Sequence, residues 1–219
     1  MPPPSAVRKL ALVTFAPTDT APDTDAAPAT RRTAESSVPL TPLLDERWSP
    51  RSFDRDAEIS DDQLTALLEA ARWAPSCANQ QSRRFVVARR GTPEFQAIHE
   101  ALLGFNAAWA GDASALVVGI AETSTIEGDL RPYAEYDLGQ AVAHLTVQAH
   151  AEGLHVHQMA GVEWDRIVAA FGLTENLKPV TVSAIGTVAP AEQLVEALAE
   201  REVAPRERLS LDELVLVRA

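Results

Sequence analysis

Apolar and polar positions along the chain recur with helical and strand periods in turn. Leu64, Leu67, Leu68 and Ala71 lie at helical spacing behind Ser60-Asp61-Asp62-Gln63, a capping box with two acids at the positive end of the helix dipole. Pro75 stops that helix, because it lacks an N–H and clashes with the preceding turn. Thr92-Pro93-Glu94 opens a second helix running to about residue 103, followed by a short helical piece at 106–111. The longest helix is predicted over 133–152. Leu138, Ala141, Val142, Leu145 and Ala149 line one face, and Ala143, Val147 and Ala151 make much of the remainder apolar. Gly153 suits the position after its end. Such a helix is buried on several sides, in a core or against a second subunit. Further helices are expected at 163–171, closed by Gly172, and at 191–199.

The continuous apolar run 115–121 reads as a buried strand, and 180–188 as a second. Shorter strands are expected at 85–88 and 154–162. Leu40, Leu43 and Leu44 make one short helical face, and 211–217 is a short final helix or strand. Residues 40–219 thus form one domain, and no internal repeat is present. Residues 1–39, rich in Pro, Thr, Ala, Asp and Ser, cannot bury enough apolar surface to offset their ordering entropy. They are expected to form a flexible N-terminal tail, and deleting 1–36 is expected to change little.

The formal net charge of −12 disfavours nucleic-acid and anionic-membrane partners. A bound anion would need a local cluster of arginines. The single cysteine permits no intramolecular disulfide. No apolar run approaches the roughly 18 residues of a membrane span. The apolar piece at 10–15 is too short for a signal peptide, so a cytoplasmic protein is expected.

Candidate chemistry concentrates in three places. Residues 74–85 read APSCANQQSRRF: small residues and side-chain amides between a helix and a strand. Amides carry donors and an acceptor on one plane, which suits the edge of a heteroaromatic ring, although a plain polar turn has the same composition. In 47–53, RWSPRSF, an extended chain puts Arg47, Ser49, Arg51 and Phe53 on one side. Arg206 and Arg208 share a face in the same way. Neither GxGxxG nor GxxxxGK[ST] occurs, so arginine is the remaining anion-binding device. His155 and His157 alternate as metal ligands might, but no third ligand is close in sequence. Cys77 reads as a small residue in a tight loop, and Trp73, Trp109 and Trp164 as core or interface anchors. Arg131 and Tyr133 lie in a polar loop at 122–135.

RWSPRSF (47–53), APSCANQQSRRF (74–85), EGLHVHQMAG (152–161), VSAIGTV (182–188) and PRERLSLDELV (205–215) together resemble the FMN-dependent nitroreductase family, in its order and spacing. The resemblance covers about 43–217. It implies an α+β nitroreductase-like fold, with a mixed or antiparallel central sheet flanked by helices, in an intertwined homodimer with FMN sites built from both chains. It also implies the site residues. Arg47 and Ser49, with Trp48 between them, match positions at the FMN phosphate and ribityl end. Arg51 matches the basic residue near flavin N1 and O2. Asn79, flanked by Ser76 and Gln81, matches the amide at the isoalloxazine ring. Met159, Ala160 and Gly161 match the stretch near N5, and Arg206 and Arg208 the terminal basic pair on the phosphate. Ser82 and Arg83 depart from the Pro-Trp the family often has there.

The implied activity is reduction of a small electron acceptor, a nitroaromatic, a quinone or a similar compound, by NADH or NADPH in a double-displacement cycle. Arg51 would stabilise charge at N1–C2=O, and no protein acid, base or nucleophile is required. Two alternatives share the fold. One is a specialised dehydrogenase, reductive dehalogenase or flavin-fragmenting member; the other is a non-catalytic FMN-binding or storage protein.

Overall fold

A computed structural model describes residues 32–218. The expectations for residues 1–31, including the apolar piece at 10–15, lie outside the described residues. Four strands, β1 (Arg83–Arg89), β2 (Ala115–Glu122), β3 (His155–Met159) and β4 (Leu177–Gly186), form one sheet of order β1-β2-β4-β3, every neighbouring pair antiparallel. The described residues also form helices α1 (Pro42–Asp45), α2 (Asp61–Arg72), α3 (Pro93–Glu100), α4 (Gly104–Ala110), α5 (Ala134–Ala151), α6 (Trp164–Phe171), α7 (Glu196–Val203) and α8 (Leu211–Leu214), with a 3-10 turn at Cys77–Asn79 in the amide loop.

The continuous apolar run of β2 is explained by its place between two helical layers. Leu116, Val118 and Ile120 pack with Phe95, Ile98, Trp109 and Ile167 of α3, α4 and α6. Ala115 and Val117 pack on the opposite face with Leu67, Ala71 and Leu145 of α2 and α5. The capping box of α2 forms in full, with Ser60 Oγ accepting the Gln63 N–H at 3.1 Å. Gly153, at φ 74°, closes α5 by letting the Leu154 N–H reach the Ala149 carbonyl at 2.8 Å.

Three boundaries differ from the periodicity. The helix from Thr92 ends at Glu100, because Leu102 leaves it to bridge Val162. The expected helix at 191–199 divides into a 3-10 turn, Ala191–Gln193, and α7, because Leu194 is extended at φ −80°, ψ 158°. Strand β4 starts early and takes in Pro179, opposite Ile120, where the β2–β4 register shifts. A residue without an N–H is tolerated at such an irregularity. The face expected of Leu40 and Leu44 is largely exposed, at 42% and 47%.

Along α5, Tyr136, Gly139 and Ala143 face solvent and Val147 is half-buried, so a stripe of small and apolar residues remains uncovered. The end of the chain is similar: Leu211, Leu214, Leu216 and Val217 are all exposed. No helix among the described residues is long and apolar enough to cross a membrane.

Candidate functional site

Trp48, Pro50 and Ser52 are buried while Arg47, Ser49 and Arg51 face outward, so the extended chain puts the last three on one side, as its alternation predicts. The alternation breaks at Phe53. This ring is fully buried and stacks on Trp109 at a centroid distance of 6.1 Å, so it does not share the side of the arginines. The cause is pairing: the Asp54 N–H donates to Thr187 O at 2.9 Å and the Ala189 N–H to Ser52 O at 3.0 Å. Gly186 makes the room, since a Cβ there would lie 3.0 Å from the Phe53 ring and 3.2 Å from the Ser114 backbone nitrogen.

Helix α7 holds this strand through Glu202, which is only 3% exposed. Its Oε1 accepts the Arg51 and Ser52 N–H groups at 2.7 and 2.9 Å, and its Oε2 lies 3.6 Å from Arg51 Nη1. Arg206 Nη1 donates to Asp45 O at 2.7 Å and to Arg32 O at 2.8 Å, bringing the terminal basic pair to the same place. Burial, then the charges of Arg206 and Arg208, push the Arg47 guanidinium below the usual arginine range. Burial, Arg208 and Arg32 do the same to Arg206, against Asp45. Among the described residues, no ion pair involves Arg47, Arg206 or Arg208. Partly buried cations that repel one another, beside the Ser49 hydroxyl, fit a phosphate monoester, whose dianion relieves the repulsion and accepts their N–H groups.

The amide loop is strained. Ala78, Asn79 and Gln81 have φ of 47°, 56° and 51°, a region asparagine tolerates better than alanine or glutamine. Internal bonds close it: the Gln81 N–H donates to Ser76 Oγ at 3.1 Å, and Gln81 Nε2 to Asn79 O at 3.2 Å. Two buried charges clamp its ends. Asp137 of α5, 1% exposed, accepts the Cys77 N–H on both oxygens at 3.1 Å and the Ser82 hydroxyl at 3.4 Å. Arg83, 8% exposed, donates through Nη2 to Arg72 O at 2.6 Å and Ala74 O at 2.8 Å. The two residues that depart from the family pattern, Ser82 and Arg83, are therefore the ones that hold the loop. Asn79, Gln81 and Cys77 are exposed.

Within one chain the two halves do not meet. The amide loop is tied to Asp137 in the first turn of α5, whereas Arg47 lies by His150 in the last. The rise of α5 from Asp137 to His150 separates those ends by roughly 20 Å.

The third element is the end of β3. Met159 turns its side chain into the core, and Ala160 is exposed. Gly161 accepts the Leu103 N–H at 2.9 Å, and a Cβ there would lie 2.9 Å from Asn106 Nδ2, so the glycine lets α4 approach. Arg131 is committed to Glu122, which also accepts from Arg84 Nη2 at 2.8 Å, while Tyr133 is exposed. Trp109 is buried in the core, Trp164 packs against it and Trp73 is 73% exposed.

Sequence reasoning missed Asp137 and Glu202, although a signal was present. Asp137 stands four residues before Ala141 and Glu202 four after Leu198, so each acid falls on a buried helical face.

His155 and His157 lie behind the arginine strand. Burial first, then the charges of His150 and Arg47, lower His155 to about 4. Burial lowers His157 to about 4, aided by Arg51 and opposed by its Nδ1 hydrogen bond to Pro50 O at 2.8 Å. Among the described residues, no group of His, Cys, Asp and Glu is placed to hold a metal ion. Both rings are neutral in the folded chain at pH 6, whereas unfolded histidine titrates near 6.5. The unfolded chain thus binds more protons between about pH 6.5 and 4, and stability should fall as pH drops through that window. Denaturant midpoints measured from pH 7.5 to 4.5 should decline, and His157→Phe should flatten the decline. A midpoint unchanged across that range would refute the burial argument.

The model of the nitroreductase family matches residues 44–120. An FMN-containing oxidoreductase of known crystal structure is 35% identical, with a TM-score of 0.78, over 87% of this chain and 96% of its own. The uncharacterised 15.4 kDa protein in the ask 5' region of Mycolicibacterium smegmatis is 38% identical over 138 residues, 60% of this chain and 92% of that protein. The CLA biosynthesis enone reductase of Lactiplantibacillus plantarum is 26% identical over 188 residues, 68% of this chain and 86% of that enzyme.

Proposed function

The chain belongs to the nitroreductase family and is an FMN-dependent oxidoreductase; from that premise we propose a cytoplasmic reductase that takes electrons from NADH or NADPH and passes them to nitroaromatic, quinone or similar electron-poor acceptors by double displacement. The observation that carries the reading is the half-buried Arg47, destabilised by Arg206 and Arg208 in a chain of net charge −12. Such a cluster is costly unless an anion joins it.

Bound FMN would supply the redox chemistry, hydride transfer at N5 with charge developing at N1 and C2=O. The chain's residues bind, orient and tune it. Arg47, Ser49, Arg206 and Arg208 hold the phosphate. Arg51 would face the N1–O2 edge as a fixed cation. Asn79, set between Ser76 and Gln81, offers its amide to the ring edge, and Ala160 and Gly161 pass the N5 side with backbone.

These groups come together in a homodimer. An antiparallel pairing of α5 with its symmetry mate sets the first turn of one helix beside the last turn of the other. The amide loop of one protomer then meets the arginine strand of its partner. The uncovered stripe of Tyr136, Gly139, Ala143 and Val147 supports that pairing, as do the exposed apolar residues of the C-terminus. Light scattering at micromolar concentration should return a dimer; a monomer that retains full FMN content would overturn the two-chain site.

A second reading takes conjugated enones as acceptors, favoured by the likeness to an enone reductase. The same test addresses both. Purified protein should be yellow or take up one FMN per chain, and anaerobic NADH or NADPH should bleach the flavin band. A quinone, a nitroaromatic or an enone added next should restore it, and the fastest identifies the acceptor class. Protein that binds no FMN by calorimetry would end the proposal, and bound flavin that neither nicotinamide bleaches would leave a binding protein.

A further inference from the structure

Arg32 lies before the stretch matched by the family model, which starts at residue 44, yet it reaches the arginine cluster. Its guanidinium donates through Nη1 to Glu202 O and through Nη2 to Ala204 O, and it lies over the Trp48 ring, 4.6 Å from the centroid. Its own carbonyl accepts from Arg206 Nη1 at 2.8 Å, and two residues on, the Ala34 N–H donates to Asp45 Oδ1 at 3.0 Å. Glu202, whose carbonyl Arg32 holds, grips the Arg51 and Ser52 N–H groups at 2.7 and 2.9 Å.

We propose that Arg32 is a positioning residue of the phosphate end: it locks the segment carrying Arg206 and Arg208 against the strand carrying Arg47, Ser49 and Arg51. This rests on the FMN reading above. The bonds form a closed ring. Arg32 ties residues 202–204 to Trp48, Glu202 ties α7 to residues 51 and 52, and Arg206 ties the terminal segment to Asp45 and back to Arg32. The planar fork of arginine suits the task, because it bonds two carbonyls while its face stacks on an indole.

Charge points the same way. Arg32 adds a cation beside Arg206, which Arg208 already repels, and this is unfavourable without an anion and favourable with one. A phosphate and the Arg32 lock therefore strengthen each other. On this inference a cut after residue 36 removes a working part of the site, because it removes Arg32, whatever residues 1–31 contribute.

The test uses the full-length chain and two flavins, FMN and riboflavin, which lacks the phosphate. In Arg32→Ala the FMN Kd should rise about tenfold, the size of one lost charge-assisted hydrogen bond, while the riboflavin Kd stays within about twofold. Arg32→Lys keeps the charge but not the fork, and should resemble the alanine variant. Adding Arg206→Ala to Arg32→Ala should cost less than the two separate losses combined, since both act in one unit. Equal weakening of both flavins would make Arg32 a general support of the fold and overturn the inference. A lysine variant with wild-type FMN affinity would reduce the effect to charge alone and overturn the positioning role. If the wild-type chain does not distinguish FMN from riboflavin, the phosphate assignment itself has failed, and this inference falls with it.

Discussion

Asp137→Ala is expected to destabilise the chain by roughly 2–4 kcal/mol, the cost of stranding buried polar and charged groups. The carboxylate is 1% exposed and accepts the Cys77 N–H on both oxygens and the Ser82 hydroxyl. Alanine leaves the buried Ser82 hydroxyl and the Cys77 N–H with nothing to replace the acceptor. It also removes the charge that offsets the burial of Arg83, whose guanidinium is pushed below its usual range by desolvation and held up by Asp137. For a domain of this size the melting temperature should drop by roughly 5–15 °C. Asp137→Asn keeps one acceptor oxygen and should lose about half as much. The damage should concentrate in the loop, where three residues at positive φ persist only because their surroundings over-determine them. Amide exchange at 76–82 should therefore accelerate more than at β2. An alanine variant that melts within about 1 °C of wild type would show that α5 does not hold the loop.

That loop marks the border of what the sequence makes legible. Where one strong local signal acts alone, the element appears as expected. The Ser60 capping box and Pro75 bracket α2, Gly153 and Gly172 close α5 and α6, and the run at 115–121 is a strand apolar on both faces. Boundaries shift where a distant partner intervenes: Val162 draws Leu102 out of its helix, and Thr187 turns Phe53 off the face of the arginines. The candidate site divides in the same way. Alternation at 47–51 set Arg47, Ser49 and Arg51 on one side correctly. The clamps that hold them, Glu202 from far along the chain and Arg32 through its hold on Glu202, depend on tertiary packing and not on any local pattern. Ser82 and Arg83, which read as departures from a motif, are the loop's own anchors, and only the position of Asp137 shows why.

Arg208→Ala and Arg51→Ala are expected to separate phosphate holding from electronic tuning. Arg208 is exposed, and its guanidinium donates within the chain to Glu207 O at 2.6 Å. Its removal takes a charge-assisted contact from the phosphate, worth roughly 1.5–3 kcal/mol, and relieves some repulsion on Arg47. The FMN Kd should rise by about one to two powers of ten. With flavin at saturation, turnover should return to the wild-type rate, because the phosphate end lies far from N5. Arg51 differs, because a buried acid stands behind it. Glu202 Oε2 is 3.6 Å from Arg51 Nη1 and has no hydrogen-bond partner of its own among the described residues. Arg51→Ala thus removes a cation from the N1–O2 edge and uncovers a buried carboxylate beside it. Both changes disfavour negative charge on the reduced ring, so the midpoint potential should fall and reduction by NADH or NADPH should slow with the site full. Arg51→Ala/Glu202→Gln, which keeps an acceptor for the two backbone N–H groups, should recover part of that potential. Potentiometry and stopped-flow reduction under saturating FMN read both variants. An Arg51→Ala protein with wild-type potential and rate, or an Arg208→Ala protein that stays slow when fully loaded, would mean that the two arginines have been assigned to the wrong ends of the cofactor.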